Sequence, residues 1–170
     1  MDLIATIKTR RSIRQYKSEP PSNKDIEKIL EAGRWAPSGL NNQPWRFMVI
    51  HSRRHLDGLA ELTHYGKIIR QAPVAIAVFL DLEEVYNRDK DLMAIGACIQ
   101  NMLLAAHALG LGTCWLGEIL NRKKEVREYL RLPRNVELTA LITLGYPRKG
   151  VIKSSRHPLK NLILKGISYA

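Results

Sequence analysis

Leu92-Met93-Ala94-Ile95-Gly96-Ala97-Cys98-Ile99-Gln100-Asn101-Met102-Leu103-Leu104-Ala105-Ala106-His107-Ala108-Leu109 is apolar nearly all round and carries few charges. A helix without a polar face must be shielded on most sides, so residues 92–109 read as a core helix. Gly110 is its natural stop, because glycine enters the left-handed conformation that closes a helix at no steric cost. The continuation, Gly110-Leu111-Gly112-Thr113-Cys114-Trp115-Leu116-Gly117-Glu118, holds a short predicted strand at 113–116. Its glycines let backbone approach a ligand closely, and amides exposed after the strand can point at an acceptor atom.

On the N-terminal side, residues 81–91 read as a charged connection from a continuously apolar strand at 72–80, the pattern of a strand buried on both faces. Further strands are predicted at 45–50 and 136–144. Helices are predicted at 3–9, 56–62 and 122–130, and over 22–33, where Ser22 stands before an amphipathic run as an N-cap. About four strands alternating with helices make an α+β layer fold, with helices packed on one sheet.

Two further segments carry chemistry. Arg10-Arg11-Ser12-Ile13-Arg14 is a basic cluster answered near the end by Lys153-Ser154-Ser155-Arg156. A guanidinium presents a rigid fork of donors to phosphate oxygens, and a serine hydroxyl can fill a remaining lone pair. The bland reading of such a run is a solvated face. Pro37-Ser38-Gly39-Leu40-Asn41-Asn42-Gln43-Pro44-Trp45 sets hydroxyl, amide and glycine residues between prolines, which makes an irregular loop rich in donors and acceptors.

In their order and spacing, the arginine cluster, the Pro37 loop, the 96–112 helix with its exit, and the 110–118 segment resemble the nitroreductase family of flavin-dependent oxidoreductases. The resemblance spans nearly the whole chain. It implies one FMN-binding domain over residues 1–170, with a nitroreductase-like α+β fold: a central mixed, mainly antiparallel sheet flanked by helices, in an intertwined homodimer. Each FMN would lie at the interface and touch both chains, which would explain exposed apolar helix faces.

By the same resemblance, Arg10, Arg11, Ser12 and Arg156 correspond to phosphate and ribityl contacts, with Lys153 assisting. Arg14 matches a cation near the pyrimidine edge of the flavin, where it would stabilise the negative charge of the reduced ring. Pro37, Ser38, Gly39, Asn41 and Gln43 match the loop that reaches the flavin, the Pro37-Ser38 part from the opposite subunit. Leu116, Gly117 and Glu118 match the segment whose backbone approaches the reactive ring edge, and the Glu118 side chain need not be catalytic. Lys67 lies near a position that sometimes supplies another contact. The implied activity passes hydride from NADH or NADPH to FMN, then electrons to a nitroaromatic or quinone-like acceptor, by ping-pong kinetics and without a catalytic side chain. The alternatives are a flavin-binding or redox-sensing protein with little turnover, or a specialised dehalogenating or flavin-consuming member. The short 81–91 connection leaves little room for a helical cover over the substrate pocket.

Composition bounds the rest. The chain has 170 residues, 45% of them hydrophobic, enough for one domain with a real core. Its formal charge of +11 invites a nucleic-acid reading, but the basic residues are spread among acids without a nucleic-acid-binding motif. Cys98 and Cys114 read as buried thiols, and His51, His55, His64, His107 and His157 form no metal-binding spacing, so no metal is expected. Trp35, Trp45 and Trp115 read as packing residues. No stretch reads as spanning a bilayer, and the first residues lack the plan of a secretory signal, so the expectation is a cytoplasmic protein.

Overall fold

The structure is a computed structural model that describes residues 2–148 and 154–164. Four strands, β1 (Trp45–Ile50), β2 (Val74–Asp81), β3 (Gly112–Leu116) and β4 (Val136–Gly145), form one sheet in the order β1-β2-β4-β3. All three strand pairings are antiparallel. Among the described residues, the parallel element is a single bridge, Ser12 to Thr113, where the N-terminal segment lies along β3. A second bridge, Tyr16 to Pro147, continues that segment past the end of β4.

Every residue of β2 is buried, as its unbroken apolar run requires of a central strand with helices on both faces. Val74, Ile76, Val78 and Leu80 enter one core, and Ala75, Ala77 and Phe79 enter the other. The partner β4 keeps this alternation through a register shift opposite Val78 and Phe79, which pair with Ala140 and Leu138. Thr139 is the extra residue there, and its buried hydroxyl donates to the Val78 carbonyl at 2.9 Å.

The first core lies under α2 (Asn23–Arg34) and α5 (Arg88–Ala108), and the second under α3 (Arg53–Ala60), α4 (Gly66–Gln71) and α6 (Lys123–Tyr129). Helix α1 (Leu3–Thr9) rests against α5. The predicted stop of α5 is met, with Gly110 at φ +77°. Its start is four residues earlier than the apolar run suggested: the Asn87 side chain accepts from the Lys90 amide, and Asp89 and Asp91 occupy the first turn. Caps and acidic residues suit a helix N-terminus, so part of the charged 81–91 connection is helix. Asp81 belongs to β2.

At 21 residues, α5 is also long and apolar enough to cross a membrane by length and composition, contrary to expectation. Its Ala94, Ile95, Cys98, Ile99, Met102, Leu103 and Ala106 are instead buried in the first core. The predicted 122–130 helix is the slightly shorter α6, preceded by an unpredicted 3-10 turn over Glu118–Arg122, and the predicted 56–62 helix runs from Arg53 to Ala60.

Candidate functional site

Two of the sequence-predicted groups, the 10–14 segment and the 116–118 exit, lie along the β3 edge of the sheet, whereas the 37–43 loop leads into β1 at the opposite edge. The Ile13 amide donates to the Thr113 carbonyl at 2.8 Å, and the Tyr16 hydroxyl meets Thr143 Oγ1 at 2.7 Å inside the protein. These bonds fix the segment carrying Arg10, Arg11, Ser12 and Arg14 beside the strand that leads to Leu116, Gly117 and Glu118.

Electrostatics distinguish Arg10 within this corner. Arg10 is half-buried, and burial, then the positive charges of Arg11 and Arg156, hold its pKa below the ordinary arginine value. No carboxylate pairs with it among the described residues. Burial, then the same Arg10 and Arg11 charges, lower the pKa of His107, whose Nε2 lies 2.8 Å from Thr9 Oγ1. Arg11 is oriented by its own chain, its Nη1 donating to the Lys8 carbonyl at 2.7 Å and the Arg10 carbonyl at 2.8 Å. Arg14 donates to the Ser12 carbonyl at 3.4 Å. Arg156 is held by Ser154 Oγ at 2.6 Å and the Ser155 carbonyl at 2.7 Å. Lys153 lies outside the described residues. A half-buried cation crowded by like charges is stabilised by an anion, and forked guanidinium donors beside a serine suit phosphate oxygens. The donor set thus fits the phosphate of FMN.

The 37–45 loop is strained and fastened. Leu40, Asn41 and Gln43 all have positive φ, at 53°, 55° and 48°, a conformation that L-residues hold only where their surroundings impose it. Ser38 Oγ accepts from the Gln43 amide at 3.0 Å, and Gln43 Nε2 donates to the Asn41 carbonyl at 3.2 Å. A Cβ on Gly39 would stand 1.8 Å from the Tyr86 hydroxyl, so the ring end packs directly against this glycine. Pro37 is exposed at the start of the loop. No hydrogen bond or ion pair joins the loop to the Arg10 cluster among the described residues.

Sequence reasoning missed the clamp behind this loop. Asn42 Nδ2 donates to the Glu84 carbonyl and to Asp91 Oδ1, each at 2.8 Å. Asp91 is wholly buried, and its Oδ2 accepts the Tyr86 and Asn87 amides at 3.1 Å each. Asn42 Oδ1 is buried without a partner. Asp91 stood in a charged run that reads as solvated, and only its place one turn after the Asn87 cap marked it.

Beyond β3, Leu116 is buried and paired with Leu141, while Gly117 is exposed with open space where a Cβ would stand. The Glu118 carboxylate is committed elsewhere: Oε2 accepts from the Thr63 hydroxyl at 2.5 Å and the His64 amide at 3.1 Å. The Thr63 bond is the main reason its pKa falls below the ordinary value. Glu118 therefore ties the β3 exit to the turn before α4, which carries an exposed Lys67. That helix was not predicted.

The described residues contain no cluster of three or more potential metal-ligating side chains. Cys98 is buried, and burial pushes its thiol up to about 12.

Comparison with known proteins identifies relatives over nearly the whole chain. A family model described as "Nitroreductase family" matches residues 7–66 and 61–146. A protein of Archaeoglobus fulgidus provisionally named NADH dehydrogenase/NAD(P)H nitroreductase is 39% identical over 150 residues, covering 86% of each chain. The NADH dehydrogenase of Thermus thermophilus is 30% identical over 190 residues, covering 91% of each. A provisionally named nitroreductase of Desulfovibrio desulfuricans, solved in complex with FMN, superposes with a TM-score of 0.93 at 49% identity, over 98% of both chains.

Proposed function

Because the chain belongs to the nitroreductase family, we propose that it is an FMN-dependent oxidoreductase, reduced by NADH or NADPH and reoxidised by a small nitroaromatic or quinone-like acceptor in ping-pong turnover. The observation that carries this reading is the half-buried Arg10, which has no carboxylate partner among the described residues and lies beside the positive charges of Arg11 and Arg156. It supplies the charge that an FMN phosphate needs, on a chain 49% identical to a protein solved with FMN.

Bound FMN supplies the electron-carrying chemistry. The chain's own residues bind, orient and tune. Arg10, Arg11, Ser12 and Arg156 hold the phosphate end. Arg14 provides a fixed positive charge on the ring's path, favouring the more negative, reduced cofactor. Pro37, Ser38, Gly39, Asn41 and Gln43 present a preformed polar rim, kept in shape by the Asn42–Asp91 clamp. Leu116, Gly117 and Glu118 offer backbone at a point where no side chain intervenes.

A homodimer with FMN at the interface accounts for two features together. The 37–45 loop has no bond to the Arg10 cluster of its own chain, and large apolar groups are exposed, including Leu3, Ile4, Trp35, Leu40 and Met93. A second chain would cover the apolar surface and complete the rim.

The decisive experiment is the visible spectrum of the purified protein, reconstituted with FMN where needed and titrated anaerobically with NADH or NADPH. A flavin band that bleaches, and recovers with a quinone, is expected. A protein that takes up no FMN overturns the reading.

A further inference from the structure

On the sheet face covered by α3, α4 and α6, a cavity of about 350 Å³ opens between α3 and the end of α6, lined by Arg54, His55, Tyr129, Leu130 and Arg131. It shares no residue with the proposed FMN site. We infer that it is a second binding site, for a small aromatic carboxylate.

Charge is the first argument. Arg54 and Arg131 line the same small space, and neither has a carboxylate partner among the described residues. Guanidinium groups lining one concave wall can offer their donor forks to an anion.

The second argument is that the wall is built. The Tyr129 hydroxyl donates to the Arg54 carbonyl at 3.0 Å, and the His55 ring meets the Tyr129 ring edge-on at 6.1 Å and 74°. A Cβ on Gly58 would stand 2.0 Å from the Tyr129 hydroxyl, so the ring end packs closely over Gly58. Tyr129 and Leu130 give the cavity an aromatic and aliphatic side on which a flat ring can pack.

The third argument is the backbone at Arg131. Helix α6 ends with the Leu132 amide bonded to the Arg127 carbonyl and the Arg131 amide bonded to the Glu128 carbonyl. That double bond pattern places Arg131 at the position where glycine normally stands, and its φ is 55°. This turn sets Arg131 at the lip of a cavity that Arg54 lines from α3, so two separate elements each bring a guanidinium group to the same space.

The test is a benzoate titration of the FMN-saturated, isotopically labelled protein, followed by amide resonances and thermal shift, with neutral benzamide in parallel. Saturable shifts centred on residues 54–55 and 129–131 are expected, with benzamide at least tenfold weaker. Arg131→Gly should bind benzoate at least fivefold more weakly while melting at or above the wild-type temperature. Arg54→Gln should weaken binding to a similar extent, and it decides the matter if Arg131→Gly does not fold. Shifts confined to the flavin region, equal binding of benzamide or inorganic phosphate, or unchanged affinity in Arg54→Gln would each overturn the proposal. Because the readout is local binding, its failure leaves the oxidoreductase reading untouched.

Discussion

Arg10 and His107 report on the same field from two sides. Both are held below their ordinary pKa by burial first and by neighbouring arginines second. An anion bound at Arg10 cancels part of that repulsion, so the His107 pKa should rise on FMN addition, visible as a shift in its imidazole NMR titration between apo and FMN-bound protein. Arg10→Ala should lower FMN affinity at least tenfold by fluorescence titration, with the fold intact by circular dichroism. The strained Arg131 gives the opposite kind of prediction. Left-handed backbone costs an L-residue about 1–2 kcal/mol, partly offset by the extra freedom glycine loses on folding. Arg131→Gly should therefore stabilise the protein by about 0.5–1 kcal/mol in urea unfolding. The donors of the phosphate corner were legible because arginine and serine chemistry is local. Arg131 was not, since a helix-closing turn normally announces itself by glycine and here does not.

Elements were legible where the pattern was long. The β2 run and the apolar body of α5 were found because an unbroken apolar stretch has few alternatives, and the Ser22 cap marked α2. Helix α4 was missed because Gly66-Lys67-Ile68-Ile69-Arg70-Gln71 is too short to show a period. The first turn of α5 was missed because charged residues at a helix start look like a loop. The clamp at that turn decides how the 37–45 loop is held. Asp91→Ala would strand three donors, from Asn42, Tyr86 and Asn87, each worth about 1–3 kcal/mol when buried and unpaired. A loss of about 3 kcal/mol by thermal unfolding, with weakened FMN binding, is expected. Glu118 fastens the other side. Its folded pKa is depressed, chiefly by Thr63, so the contribution of its tether is present above the ordinary glutamate range and lost as pH falls through the lower folded value. Hydrogen exchange at the His64 amide should accelerate only at acid pH, and in Glu118→Ala at all pH values.

For the whole molecule, the two helical layers and the buried sheet follow from alternation and apolar content, which act within one chain. The proposed pairing of chains was readable only through family likeness, because isolated exposed apolar residues at Met93, Ile4 and Trp35 are ordinary on a monomer until the fold sets them on its surface. Light scattering should give twice the 19.4 kDa chain mass, and Met93→Asp should shift the protein toward monomer with loss of bound FMN. Deep burial also sets the chemistry of Cys98: a thiol with a pKa of about 12 stays protonated, so Ellman's reagent at pH 8 should leave it unmodified until denaturant is added.

The bridges from Ser12 to Thr113 and from Tyr16 to Pro147 lay the N-terminal segment over the outer rim of β3 and past β4. An uncovered rim of a sheet can recruit strands from other molecules. The residues proposed to grip the phosphate thus ride on the strap that closes this sheet edge to further strands. A lesion that peels it away, such as proline at Ile13, should present in the cell as insoluble protein before it presents as lost activity.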